Sequence, residues 1–138
     1  HHQETDRIQA VCTMASRLTG FRAMHFLNPE QRRALEREGE VVFSSRGRAL
    51  KITNEFFADA DNFNPVHLIN ELVKPLLVIH GNMDEIIPVE EAYKVRDLNS
   101  DRVVLHIMPN ADHMFSREDD RRDISQIAVE WFKKQSKL

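Results

Sequence analysis

The stretch KPLLVIHGNMDEIIP, Lys74 to Pro88, decides how the rest of the chain reads. Its first half, from Pro75 to Gly81, is a continuous apolar run too short for a helix. Without polar alternation, such a run has the pattern of a parallel strand covered on both faces. The run stops at a glycine and delivers Asp84 and Glu85 into a short loop. Pro88 then opens a helical segment, PVEEAYKVRDLN, with Glu90 and Glu91 in its first turn and cations further along, the arrangement the helix dipole favours. RVVLHIM, Arg102 to Met108, is a second buried-type strand, stopped by Pro109. Beyond it Ile124, Ile127, Ala128, Trp131 and Phe132 recur at helical spacing and predict an amphipathic last helix. Ser116 with Asp119 is expected to cap that helix, and Lys133, Lys134 and Lys137 lie at its end. Strand, helix, strand, helix at these spacings implies right-handed crossovers and a parallel sheet, hence an α/β fold.

Upstream, RIQAVCTMAS (Arg7 to Ser16) predicts a third buried parallel strand. Residues 17–74 form an excursion of different character. NPEQRRALEREGE predicts a polar helix with Asn28 as N-cap, Pro29 at its first position and Gly39 after its end. VVFSSRGRALKI predicts two extended pieces about a turn at Ser45-Arg46-Gly47, and TNEFFADADNFNPVHLINEL two short helices, the second opened by Asn64-Pro65. The organisation expected is a core made of residues 1–16 and 75–138, carrying a helix-and-hairpin insertion at 17–74.

Bulk properties exclude several classes. At 138 residues the chain is long enough for one core without disulfides. A formal charge of −3, with Arg and Lys interleaved among acids, leaves no electrostatic footprint for nucleic acid. The single cysteine, Cys12, rules out an internal disulfide and polythiolate metal sites, so a cytoplasmic protein is the default expectation. No apolar run approaches the roughly 20 residues a bilayer requires, and no membrane association is expected.

In open parallel sheets, reactive groups gather beyond the carboxyl ends of the strands. Two loops lie there: HGNMDEIIP with Asp84 and Glu85, and MPNADHMF with Asp112 and His113. A carboxylate after one strand and an imidazole after the next can meet, the acid fixing the tautomer and stabilising the imidazolium. Glu85 is a second candidate acid or a carboxylate at the helix N-terminus; Asp112 reads as a turn former. His80 and His106 read as packed or hydrogen-bonded strand residues, and no metal site is expected. Cys12, inside a strand, reads as a small buried hydrophobe rather than a nucleophile. Phe21, Phe26, Phe43, Phe56, Phe57 and Phe63 line an acyl pocket or pack a core.

KPLLVIHGNMDEIIP, followed by ADHMF and an amphipathic terminal helix, resembles the C-terminal part of an α/β-hydrolase, especially the dienelactone-hydrolase and prolyl-oligopeptidase-like branch. The chain order Asp then His is the order that fold uses after its serine. The resemblance implies Asp84 as triad acid, His113 as general base, DRIQAVCTMAS as the strand after the nucleophile helix, and residues 17–74 as a small cap. It implies a small acyl or peptide substrate and no cofactor.

The pattern is incomplete. None of the seven serines, at 16, 44, 45, 100, 116, 125 and 136, lies in a G-x-S-x-G. The four glycines are correspondingly few. Two explanations follow: a C-terminal piece of a serine hydrolase, inactive alone, or a binding module that has lost its nucleophile. An apolar first strand needs a neighbour. The partner expected is the N-terminal half of the hydrolase, with a second copy as the alternative. A flavodoxin-like or phosphatase-like domain is a third, weaker possibility.

Overall fold

The computed structural model describes residues 7–19, 27–45, 47–62 and 65–136, and the chain divides into two compact units, residues 1–19 with 65–138, and residues 20–64. Phe21, Phe26, Arg46, Phe63, Asn64 and Lys137 lie outside the described residues.

The larger unit is built on a parallel sheet of three strands, β1 (Val11–Met14), β4 (Leu76–Gly81) and β5 (Val103–Met108), in the order β1-β4-β5. The central β4 is buried along its whole length. Its side chains alternate between two cores. Leu77 and Ile79 join Met108, Ala111, Phe115, Ile124 and Trp131, while Leu76 and Val78 join Ile69, Ala92, Val95 and Val103. Each large β4 side chain removed from water contributes roughly 1.5–3 kcal/mol. Helix α5 (Glu118–Gln135) closes the first core; α3 (Pro65–Asn70) and α4 (Glu90–Leu98) close the second.

Four expectations are corrected. The first strand spans Val11–Met14 rather than Arg7–Ser16 and is half-buried, because it lies at a sheet edge where, among the described residues, β4 alone pairs with it. β5 is likewise only partly covered, with Val104 exposed. The apolar stripe of α5 is narrower than its spacing suggested: Ile124, Ala128 and Trp131 are buried, but Phe132 is 41% exposed. Ser116 does not cap α5. The helix starts one residue later, with Arg117 at the N-cap and no side-chain cap bond, and Ser116 belongs instead to the preceding turn, its N–H donating to the Asp112 carboxylate at 2.8 Å.

The smaller unit contains α1 (Pro29–Glu38), the antiparallel hairpin β2 (Glu40–Ser45) and β3 (Arg48–Thr53), and α2 (Asn54–Asn62). A reciprocal capping box starts α1: Asn28 Oδ1 accepts from the Gln31 N–H at 2.8 Å, and Gln31 Oε1 from the Asn28 N–H at 3.0 Å. Left-handed Gly39 ends it. Leu27, Leu35, Val41 and Phe57 form this unit's core, with Phe43 packed against it and Phe56 exposed. Phe43 and Phe57 are thus structural residues of their own unit.

Candidate active site

The loops that leave β4 and β5 are stitched together by their backbones. Asn82 N–H donates to Met108 O at 3.1 Å and Met83 N–H to Ala111 O at 3.0 Å, while Asn82 Oδ1 accepts from Asn110 N–H at 2.6 Å. Gly81 permits this approach. A Cβ there would stand 2.2 Å from Ala111 O and 2.8 Å from Ala111 C. Asn110 and Phe115 adopt left-handed backbone, at φ 57° and 48°, so the second loop turns sharply on either side of His113.

Asp84 and His113 meet across this seam. His113 Nδ1 lies 2.9 Å from Asp84 Oδ2. An ionised carboxylate only accepts, so Nδ1 carries the proton and donates, leaving Nε2 with its lone pair in the neutral ring. Among the described residues nothing bonds to Nε2, and a quarter of the His113 side chain is open to solvent. The Asp84 side chain is fully enclosed. Its other oxygen, Oδ1, accepts from the N–H groups of Ile86 at 2.9 Å and Ile87 at 2.7 Å. Burial by itself would raise the Asp84 pKa. The N–H of Ile87, the hydrogen bond from His113, the N–H of Ile86 and the charge of His113 outweigh burial and hold the carboxyl below its usual range. The acid is therefore ionised, immobile and aimed at one ring nitrogen.

The other sequence candidates fall elsewhere. Glu85 is exposed and precedes α4 by several residues, so it stands neither at the imidazole nor in the helix's first turn. Asp112 shapes the turn, as its chemistry suggested, by holding the Ser116 N–H. Burial pushes the Cys12 thiol up, away from a thiolate nucleophile. His106 is half-buried within β5, and among the described residues no three metal-binding side chains converge.

Two features of the site carry contacts that the sequence does not locate. One is His80, expected as a packed or hydrogen-bonded strand residue and found so: it is wholly buried, with Nε2 2.8 Å from Ile87 O and 3.2 Å from Asp84 Oδ2. The other is Arg117, which forks onto buried Asp120 at 2.6 and 2.9 Å and also donates to Pro109 O at 3.0 Å. That clip joins the two ends of the His113 loop. The guanidinium of Arg117 holds the Asp120 carboxyl below its usual range. The only sequence signals were spacings, four residues from His80 to Asp84 and three from Arg117 to Asp120. Both spacings are common.

Comparison with known proteins bears on the fold and the family. Among solved structures the chain is similar to the esterase domain of a Rhodothermus marinus protein, at 24% identity and a TM-score of 0.70, covering 92% of this chain and 52% of that one. It is similar to Est1E from Butyrivibrio proteoclasticus, at 19% identity and a TM-score of 0.73, covering 99% and 55%. It is also similar to mouse alpha/beta hydrolase domain-containing protein 10, at 22% identity and a TM-score of 0.66, covering 96% and 55%. No curated protein matches the sequence. The chain spans about half the length of these solved structures, and its fold is that part of an α/β-hydrolase. The model of the prolyl oligopeptidase family matches residues 38–138, most of the sequence and both candidate loops, and the chain belongs to that family.

Proposed function

We propose that this chain is the acid-and-base half of a serine hydrolase acting on ester, thioester, amide or peptide bonds of small acyl or peptide substrates. The observation that carries the reading is the 2.9 Å bond from His113 Nδ1 to an Asp84 carboxylate fixed on its other oxygen by two backbone N–H groups. In that arrangement His113 Nε2 takes the proton of an attacking serine and returns it to the leaving group. Asp84 holds the ring and offsets the imidazolium charge. The nucleophile and the oxyanion-binding N–H groups come from outside these 138 residues, which hold no G-x-S-x-G.

The preceding half of the hydrolase would also complete the sheet beside β1. Ile8 and Met14 are 48% and 43% exposed there, and a groove of about 640 Å³ runs between Ile8, Ala10, Val129 and Phe132. In this reading the excursion at residues 17–74 serves as a small cap, and a reducing, cytoplasmic setting suits the lone Cys12.

The test is fluorophosphonate labelling of the full-length protein, followed by peptide mapping and ester-hydrolysis kinetics. The label should map to a serine outside residues 1–138, and His113→Ala should abolish both labelling and turnover. Retained turnover in His113→Ala, or a label within residues 1–138, refutes the assignment. A full-length protein that takes no label supports instead a binding module on a hydrolase scaffold.

A further inference from the structure

We infer that His80 is a positioning residue for the acid, fixing the rotamer of Asp84 through its Nε2–H; the inference rests on the serine-hydrolase reading above. His80 continues β4 directly after Leu76, Leu77, Val78 and Ile79, and like them it is fully buried. An aliphatic residue would extend that run without cost. The histidine instead leaves its Nδ1 buried with no hydrogen-bond partner among the described residues. An orphaned buried nitrogen weakens a core, so packing alone does not account for the imidazole.

The other ring nitrogen supplies the reason. A carbonyl oxygen only accepts, so Nε2 carries a proton and donates to Ile87 O at 2.8 Å. The same nitrogen lies 3.2 Å from Asp84 Oδ2, the oxygen that receives His113, while its hydrogen bond goes to Ile87 O. His80 therefore reaches both the carboxylate and the far end of the loop whose N–H groups hold Oδ1. All four contacts to the carboxylate then converge: Ile86 and Ile87 on Oδ1, His113 and His80 on Oδ2. Without His80, the Ile87 carbonyl loses its donor and the loop that holds Oδ1 loses an anchor, so the carboxylate, still bonded to Ile86, Ile87 and His113, is held less firmly toward Nδ1.

The experiment compares His80→Leu and His80→Gln in the full-length enzyme, with Asp84→Asn and His113→Ala alongside. Leucine removes the donor and keeps an apolar bulk; glutamine places an N–H where Nε2 was. Loss of the bond to Ile87 O, and of the N–H beside the carboxylate, predicts that H80L lowers kcat about 10-fold at unchanged KM. H80Q should recover most of that loss. The downfield proton resonance of His113 Nδ1–H should move in H80L and return in H80Q. Wild-type kcat in H80L, or equal losses in H80L and H80Q, overturns the inference. Should H80L fail to fold, His80→Asn replaces it, since its amide stops short of Nε2; H80N as active as H80Q is again a refutation. If D84N and H113A are inactive while H80L is not, only the role of His80 falls. Full activity in H113A removes the underlying reading as well.

Discussion

Gly81→Ala tests the seam between the two candidate loops. The added Cβ would sit 2.2 Å from Ala111 O and 2.8 Å from Ala111 C, against the 3.0 Å below which real Cβ contacts essentially never fall. Both obstacles are backbone, so no side-chain rotation relieves them. The loops must part by at least about 0.8 Å along that line. The Met83 N–H to Ala111 O bond, now 3.0 Å, is the first to stretch, and His113, two residues beyond Ala111, moves with it. Overpacking of this kind costs about 1–3 kcal/mol. At about 2–4 °C per kcal/mol for a domain of ordinary size, that lowers Tm by about 2–12 °C. The kinetic effect should be larger in proportion. A displacement near 1 Å at a positioned catalytic group costs on the order of 100-fold in rate. Thermal melting and ester-hydrolysis kinetics of the full-length protein measure both, with Gly47→Ala as the control. Gly47 has φ 75°, but a Cβ there meets nothing within 4 Å, so the substitution should cost about 1–2 kcal/mol of backbone strain and leave kcat unchanged. A G81A protein with wild-type Tm and kcat would show that the seam does not set the position of His113.

Three further outcomes follow from the same geometry. Asp84, whose pKa is depressed on folding, contributes stability that is complete above the ordinary aspartate value near about 3.9 and is lost as pH falls through the folded value. Tm measured against pH should therefore fall below about pH 4, and D84N should flatten that part of the curve; an unchanged slope argues against the ionised, hydrogen-bonded carboxylate. Arg117→Ala opens the clip between Pro109 O and Asp120, and kcat should fall about 10-fold with KM nearly constant. Equal changes in both constants would place Arg117 in substrate binding instead. Leu77→Ala empties a buried position in the central strand and should cost about 2–5 kcal/mol by denaturant titration; a loss below about 1 kcal/mol would contradict its place in the core.

The sequence by itself determined the elements and the pairing of loops. Apolar runs at residues 75–81 and 102–108, found as strands Leu76–Gly81 and Val103–Met108, helical spacing from Ile124, and the Asn28, Pro29 and Gly39 punctuation are local patterns, and local patterns survive in one dimension. Asp84 and His113 were legible as partners because each follows a strand, and parallel neighbours bring such positions together. What tertiary structure alone decided was the set of contacts among residues whose local pattern says something else. His80 reads as one more strand residue until Ile87 O and Asp84 Oδ2 are seen at its Nε2. Ser116 reads as a helix cap until Asp112 is found holding its N–H. Gly81 reads as an ordinary turn until Ala111 O is found where a Cβ would go. Hydrophobic period is a property of neighbouring residues, whereas a hydrogen bond across the sheet top depends on two strands ending side by side, and only the folded chain sets that distance.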